Sequence, residues 1–158
     1  MMYNSYYESP IGLIYIESSD IGITQIKFVK AYKEIFDENE LTQQAIQELN
    51  EYFNRKRKIF SLPLDLIGTV FQKTIWQQLL TINYGKTQSY EQVALSINNI
   101  KAIRAVGSAN GNNPIAIVVP CHRVIGKNGT LVGYAGELWR KKWLLDFEQN
   151  NIQTSLFD

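Results

Sequence analysis

The residues best suited to covalent chemistry stand next to each other: Cys121 is the only cysteine of the chain and His122 its only histidine. A thiol reacts as its thiolate, and a free cysteine with a pKa of about 8.5 is mostly protonated at neutral pH. A nucleophilic Cys121 therefore needs a base or a positive environment, and His122 and Arg123 follow it directly. Neighbouring side chains of an extended strand point to opposite sides, so we expect the proton to pass through a bend or a bridging water.

A histidine base usually needs a third group to orient it. Glu148 is the best candidate, because it ends the final predicted helix beside the apolar Phe147. The structural alternative is an inert buried thiol at Cys121, a hydrogen-bonded core histidine at position 122 and a solvated helix end at Glu148. The residue types alone leave both interpretations open.

Composition excludes several classes of protein. A single cysteine excludes an internal disulfide and a CxxC redox pair, and one Cys with one His cannot form the usual four-ligand zinc site. We therefore expect no metal and no cofactor. No apolar run approaches the roughly 20 residues of a membrane-spanning helix, and residues 1–12 lack the features of a secretory signal. We expect a cytoplasmic protein, or a nuclear one in a eukaryote, without a membrane partner.

The charge distribution is strongly asymmetric. Residues 1–67 carry seven Lys/Arg and ten Asp/Glu (−3), residues 68–143 carry nine Lys/Arg and two Glu (+7), and residues 144–158 add −3, which gives +1 in total. A basic block in a near-neutral chain suggests a surface that faces a polyanion. A solvated charged face would give the same count, so charge alone does not decide.

The N-terminal part predicts a small α/β subdomain over residues 1–67. Residues 11–18 and 22–29 are rich in β-branched and aromatic side chains around a turn, which is typical of a hairpin. Thr42 is predicted to cap a helix that ends near residues 54–56.

The C-terminal part predicts a helix-turn-helix. Thr69 and Ser89 each begin a capping-box pattern, and a further helix is predicted from about residue 100 to 110. In residues 102–109 the only long polar side chain is Arg104, set among small residues that would allow close approach to another surface. The alternative is that this helix packs tightly on the core and Arg104 pairs with a carboxylate.

Three further elements are predicted around Cys121. The apolar residues 115–119 predict a buried strand, and residues 127–130 predict a turn between two extended pieces, a wing. A last helix begins near Leu138, with residues 139, 143, 144 and 147 on one face and residues 140–142 on another. The fold class is therefore α+β: an N-terminal hairpin or sheet plus helix (1–67) packed on a C-terminal winged helix-turn-helix-like subdomain (68–151), with a tail at 152–158.

Residues 120–124, Pro-Cys-His-Arg-Val, match the signature of the O6-alkylguanine-DNA alkyltransferases, also called methylated-DNA–protein-cysteine methyltransferases, and the chain resembles that family over nearly its whole length. Further similar blocks occur in family order at 9–12, 68–72, 84–87, 89–90, 104–107, 113–114, 133–136 and 143–145. The chain departs from the family pattern at Asn83, where many relatives have proline, and at Glu137, where many have glycine.

The resemblance implies a single-use DNA repair methyltransferase. Cys121 would displace guanine by in-line attack on the alkyl carbon, with His122 as a base through water and Glu148 orienting it. Asn113 would brace the turn before the active-site strand. The resemblance also implies DNA-binding roles for Tyr90 and Arg104 at the flipped nucleotide, DNA-backbone positions at Asn99 and Lys127, and pocket positions at Val124, Tyr134 and Ala135.

Physical chemistry agrees with these implied roles. Guanine O6 is engaged in base pairing in a duplex, so an alkylated nucleotide must leave the stack to reach a buried thiol. A search for rare lesions needs phosphate contacts, which the basic residues of the +7 block can supply. A helix of small residues with one arginine is suited to binding in the minor groove. The expected partner is double-stranded DNA carrying O6-alkylguanine, with O4-alkylthymine as a second candidate lesion, bound by a monomer.

Three alternatives compete with this interpretation. A non-catalytic alkylation-damage sensor of the same fold would usually have tryptophan in place of Cys121. A winged-helix transcription regulator would need a base-reading helix rich in Arg, Gln or Asn, which residues 103–109 do not provide. A cysteine hydrolase would need an oxyanion hole and many turnovers, and would leave the DNA-binding features unexplained.

Overall fold

The computed structural model describes residues 1–33 and 36–150, and the chain divides into two compact units. The first unit contains Met1–Gly68 together with Pro114–Val118, and the second contains the rest of the chain. The predicted tail at 152–158 lies outside the described residues. The fold class is mixed α+β, as predicted.

The first unit is built on a three-stranded antiparallel sheet in the order β1-β2-β3. Its strands are β1 (Tyr3–Ser9), β2 (Gly12–Ser18) and β3 (Ile23–Val29), and helix α1 (Glu40–Phe53) packs on them. The predicted hairpin is therefore confirmed. Strand β1 was missed, because its sequence YNSYYES lacks apolar alternation and buries a serine, Ser5, whose hydroxyl donates to Glu38 Oε1 at 3.0 Å.

The N-cap of helix α1 lies three residues before the predicted one. Asn39 is the N-cap: its side chain accepts from the Thr42 backbone N–H at 2.9 Å, and its own N–H donates to Thr42 Oγ1 at 3.0 Å. The prediction of Thr42 as the cap was wrong, because Thr42 is the third helical residue of this capping box. The predicted end of the helix is confirmed, since Asn54 is its C-cap.

The predicted strand at 115–119 is also wrong. Ile115 forms a single bridge with Ile26 of β3, with Ala116 N donating to Ile26 O at 2.8 Å, and then the chain turns. Ile117 has a φ of 71°, which a β-branched residue seldom adopts, so the pairing cannot continue. Burial of the run was predicted correctly, but its local conformation is a turn.

The second unit is mainly helical. Its helices are α2 (Val70–Leu79), α3 (Tyr90–Ser96), α4 (Ile103–Gly111) and α5 (Leu138–Glu148), and two short strands, β4 (Gln88–Ser89) and β5 (Val124–Ile125), pair in parallel. Both predicted capping boxes are present, at Thr69 and at Ser89. The indole N–H of Trp76 donates to Ala109 O at 2.8 Å and joins α2 to α4. No helix in the described part of the chain is long and apolar enough to cross a membrane.

The predicted wing is a turn without a hairpin. Strand β5 pairs with β4, and after it Gly126 N donates to Thr130 O at 2.7 Å across a 3₁₀ turn at Lys127–Gly129. Asn128 and Gly129 both take positive φ, as the turn signal in the sequence suggested. Residues 131–134 form no strand, so the second extended piece of the wing was wrong.

The buried and exposed faces of helix α5 differ in part from the predicted ones. Leu144 and Phe147 are buried as predicted, but Trp139 is 51% exposed and Lys141, predicted on the charged face, is 0% exposed. Burial of Lys141 is possible because its ammonium donates to the Val132 carbonyl at 2.8 Å while its long stem packs inside the unit.

Candidate active site

Cys121 lies at the start of a 3₁₀ turn, Cys121–Arg123, which follows Pro120. The cysteine is 5% exposed and His122 is 0% exposed. The backbone N–H of Arg123 donates to Pro120 O at 2.9 Å, and that of Cys121 donates to Val119 O at 2.8 Å. The chain therefore bends at the nucleophile, which is one of the two arrangements that the sequence suggested.

Two asparagines hold this bend. Asn113 Nδ2 donates to Val119 O at 2.7 Å, and Asn110 Nδ2 donates to Cys121 O at 3.3 Å. Burial raises the pKa of the Cys121 thiol, while a hydrogen bond from Asn113 and the charge of Lys141 oppose that increase. The thiol is therefore protonated at neutral pH until a base accepts its proton.

His122 and Glu148 are in direct contact. His122 Nε2 lies 2.8 Å from Glu148 Oε2, and both side chains are buried. Glu148 is the last residue of α5, and its carboxylate also accepts from the backbone N–H of Gly85 at 3.4 Å. Gly85 has a φ of 76°, and a Cβ there would come within 3.2 Å of the Glu148 carbonyl oxygen, so the close approach favours glycine.

Arg123 is a member of this network that the sequence prediction did not include as a site residue. Its Nε donates to Glu148 Oε1 at 2.8 Å and its Nη2 to Glu148 Oε2 at 2.9 Å, a bidentate ion pair. Its Nη1 donates to Ile82 O at 2.6 Å. Arginine is usually exposed, and only its place beside His122 pointed to a role.

The charge of Glu148 fixes the tautomer of His122. Burial alone would raise the pKa of Glu148, but the charge and hydrogen bond of His122 and the ion pair with Arg123 outweigh it and lower this pKa well below its usual range. An ionised carboxylate only accepts hydrogen bonds, so His122 Nε2 must carry a proton. In neutral imidazole Nδ1 is then an acceptor, and this buried atom has no hydrogen-bond partner among residues 1–33 and 36–150.

Lys141 is a second residue that the sequence did not single out. Its Nζ and the Tyr90 hydroxyl both donate to Val132 O, at 2.8 and 3.0 Å, and the Nζ lies 5.8 Å from the centre of the Tyr90 ring. Burial lowers the pKa of Lys141 to about 8, and the charge of Cys121 acts against that decrease. Nothing in the run Arg140-Lys141-Lys142 distinguishes the buried lysine from its neighbours.

The predicted pocket positions are divided between the interior and the surface. Val124 and Tyr134 are buried, whereas Ala135 is exposed. Burial, followed by the charge of Cys121, raises the pKa of Tyr134 well above its usual value. Cys121 and Tyr134 are both buried in the second unit.

The predicted DNA-binding positions are mostly at the surface. Arg104 lies in the first turn of α4, Asn99 precedes the 3₁₀ turn at Ile100–Ala102, and Lys127 begins the turn after β5; all three are exposed. Tyr90, at the first position of α3, is the one member of this group with a described contact to the buried Lys141.

The two positions that depart from the family pattern have different surroundings. Asn83 contributes its carbonyl to a turn, where it accepts from Lys86 N at 3.0 Å. Glu137 precedes α5 with φ 76° and ψ 145°, a region that is almost restricted to glycine. A glycine at this position would thus remove backbone strain.

Comparisons with known proteins agree with this geometry. Residues 70–150 match the DNA-binding domain of 6-O-methylguanine DNA methyltransferase, and residues 2–66 match the ribonuclease-like domain of the same protein family. The chain is 42% identical over 158 residues to a methylated-DNA–protein-cysteine methyltransferase of Methanosarcina barkeri, covering 96% of this chain and 100% of the relative. It is 44% identical over 154 residues to the protein of the same name from Mycobacterium leprae, covering 94% and 93% of the two chains.

Solved structures show the same similarity. The crystal structure of Mycobacterium tuberculosis O6-methylguanine methyltransferase matches with a TM-score of 0.87 and 40% identity over 100% of both chains. The structure of the same organism's OGT in complex with DNA matches with a TM-score of 0.83 and 41% identity, covering 97% of this chain and 99% of the other. The chain therefore belongs to the 6-O-methylguanine DNA methyltransferase family.

Proposed function

We propose that this chain is a single-turnover DNA repair protein that transfers an alkyl group from the O6 of guanine in DNA to the Cys121 thiol. The observation that carries the proposal is the buried relay in which Glu148, paired with Arg123, fixes His122 beside the only cysteine. The relatives named above are methylated-DNA–protein-cysteine methyltransferases, which require such a nucleophile.

The proposed reaction begins with a proton transfer. Nδ1 of His122, the acceptor nitrogen of this tautomer, takes the Cys121 thiol proton through a bridging water. The thiolate attacks the alkyl carbon in line with the C–O6 bond; the S–C bond forms, and the C–O6 electron pair remains on guanine. The guanine anion takes up one proton from the imidazolium, so His122 returns to its neutral form.

The remaining predicted residues would act on the nucleotide. Asn113 holds the bend at Val119 and reaches the thiol, which favours the thiolate. Tyr90 would contact the flipped nucleotide beside Cys121, and the exposed Arg104 would fill the space left in the base stack. Asn99 and Lys127 would contact the DNA backbone, while Val124, Tyr134 and Ala135 would line the pocket. The substrate is double-stranded DNA carrying O6-alkylguanine, bound by a monomer.

Each molecule would repair one lesion. The product is a thioether, and the chain contains no second cysteine that could attack it. The direct test is to titrate a fixed amount of protein with a duplex that contains one O6-methylguanine and to count methyl groups lost from the DNA. The proposal predicts a plateau at one methyl group per protein. Tight binding of the lesion without methyl loss would instead support a damage sensor.

A further inference from the structure

The first unit contains a cavity that the proposed reaction does not use. Its volume is about 220 Å³, and its lining includes Tyr6, Tyr15, Lys27, Val29, Lys30 and Lys33. These residues belong to the three-stranded sheet and to the segment that follows β3, all within one compact unit. We call it the tyrosine–lysine cavity.

The strand register places three of the lining side chains in one row. Tyr6 of β1 lies opposite Tyr15 of β2, which in turn lies opposite Lys27 of β3. Side chains at paired positions of neighbouring strands project from the same face of a sheet. The next residue of β1, Tyr7, stacks on Phe53 of helix α1, and successive side chains of a strand alternate between the faces. The cavity therefore lies on the sheet face opposite α1.

The segment after β3 folds back over the tyrosine rings. The backbone N–H of Lys33 donates to the Tyr6 hydroxyl at 3.2 Å, and the centre of the Tyr32 ring lies 4.9 Å from that of Tyr6. The rings of Tyr6 and Tyr15 meet edge to face with their centres 5.4 Å apart, and both residues are buried. One wall of the cavity thus consists of packed aromatic rings.

The three lysines give the opening of the cavity a positive charge. Lys27, Lys30 and Lys33 are exposed, and none of them forms an ion pair within residues 1–33 and 36–150. The Lys27 ammonium lies 5.4 Å from the centre of the Tyr15 ring. Residues 27–33 contain no acidic side chain, although residues 1–67 as a whole carry a net charge of −3. Three unpaired cations at one cavity of an acidic unit indicate an anionic ligand.

The two parts of the cavity restrict the class of this ligand. A volume of about 220 Å³ is below the roughly 300 Å³ of pockets that enclose a drug-sized molecule, so the cavity has room for one aromatic ring system. The charged group of the ligand would then remain at the exposed lysines, which as compact charges are suited to phosphate. Aromatic side chains beside a positively charged groove are the recurring arrangement for binding the nucleotides of single strands. An acidic peptide would pair with the lysines but leave the aromatic wall unused.

We infer that the tyrosine–lysine cavity binds a nucleotide, with the base against the wall formed by Tyr6 and Tyr15 and the phosphate between the lysines. Binding of this kind is independent of alkyl transfer and involves the first unit alone. The ligand has two sources, a free nucleotide and a nucleotide within a nucleic acid strand, and the test distinguishes them.

The test titrates the full-length, nitrogen-15-labelled protein with AMP and follows the backbone amide signals. Adenosine and ribose 5-phosphate serve as the two halves of the ligand. We expect the amides of residues 27–33 to shift, and AMP to bind about tenfold or more tightly than either half, because only AMP contacts both the rings and the lysines. The double variant Lys27→Met/Lys30→Met should bind AMP at least about fivefold more weakly. Lys56→Met changes an exposed lysine of the same unit outside the cavity and should bind AMP as the wild type does.

Three results would overturn the inference. They are the absence of AMP binding at millimolar concentrations, equal binding of AMP and ribose 5-phosphate, and wild-type affinity for AMP in the double variant. Equal binding of the sugar phosphate would show a charged surface without a place for the base. An adenine trinucleotide identifies the source of the ligand. Tighter binding than AMP that is lost in the double variant would support a nucleic acid strand, and affinity equal to that of AMP would support a free nucleotide.

Discussion

His122 Nε2 and Glu148 Oε2 lie 2.8 Å apart in a buried site, although 26 residues separate them in the sequence. The same carboxylate accepts two hydrogen bonds from Arg123. Arg123 supplies a permanent positive charge opposite Glu148, so the carboxylate remains ionised whether or not His122 carries a second proton. This arrangement allows His122 to act as a base that both accepts and returns a proton.

Replacing Glu148 with glutamine should slow alkyl transfer. The glutamine amide can donate to His122 Nε2, which would move the imidazole proton to Nδ1 and remove the nitrogen proposed to accept the thiol proton. We expect the single-turnover rate on O6-methylguanine duplex to fall about 100-fold. Asp146→Asn is the matched control, because Asp146 lies on the same helix and pairs with the exposed Lys142. Equal rates in Glu148→Gln and wild type would exclude the relay.

Glu148 should also make stability depend on pH at the acidic end. Its folded-state pKa is lowered by His122 and Arg123 against the effect of burial, while its unfolded-state pKa is about 4.3. Its contribution is therefore present above that value and is lost as the pH falls toward the folded-state pKa. Urea unfolding from pH 7 to pH 3.5 should show the difference between wild type and Glu148→Gln shrinking below about pH 4. A constant difference would contradict the ion pair.

Glu137→Gly should stabilise the second unit. Glu137 has φ 76° and ψ 145°, which glycine adopts without strain. We expect a gain of about 1 kcal/mol in the free energy of unfolding, or an increase in Tm of about 2–4 °C. Glu137→Ala is the control for the lost side chain, because the Glu137 carboxylate accepts a hydrogen bond from Trp139 Nε1 at 2.8 Å. Alanine removes this contact as glycine does, but it keeps the backbone strain. If Ala and Gly gave the same Tm, backbone strain would not be the cause.

Arg104→Ala should impair repair of duplex DNA more than repair of single strands. Extrusion of a paired base costs a few kcal/mol, and only the duplex leaves a gap for an arginine to fill. We expect at least a tenfold lower rate on the duplex and a smaller change on a single-stranded oligonucleotide. Lys101→Ala removes another exposed cation three residues earlier. It should lower the repair rates on duplex and on single-stranded DNA by similar factors, because it would remove a phosphate contact. If Arg104→Ala lowered the rates on duplex and single-stranded DNA equally, Arg104 would be a phosphate contact and would not fill the gap in the base stack.

The elements that the sequence predicts correctly are those whose determinants are local. The capping boxes at Thr69 and Ser89 and the β2-β3 hairpin depend on neighbouring residues, and the structure contains them. The run 115–119 was misread because an apolar stretch shows burial but cannot distinguish a strand from a buried turn.

The site depends on partners that are distant in the sequence. Arg123 is buried because Glu148 and Ile82 accept its hydrogen bonds, and Lys141 because Val132 does. No local sequence pattern indicates such partners, so both residues resembled ordinary surface cations. Asn110 was overlooked for the same reason, since its buried amide donates to the carbonyl of Cys121, eleven residues away.

The most direct test of the account is intact-protein mass spectrometry after incubation with a duplex that holds one O6-methylguanine. We expect the wild-type protein to gain the mass of one methylene at Cys121, saturating at one per molecule, and we expect Cys121→Ser to gain nothing. An unchanged wild-type mass while the lesion duplex is bound, or a gain that persists in Cys121→Ser, would contradict alkyl transfer to Cys121.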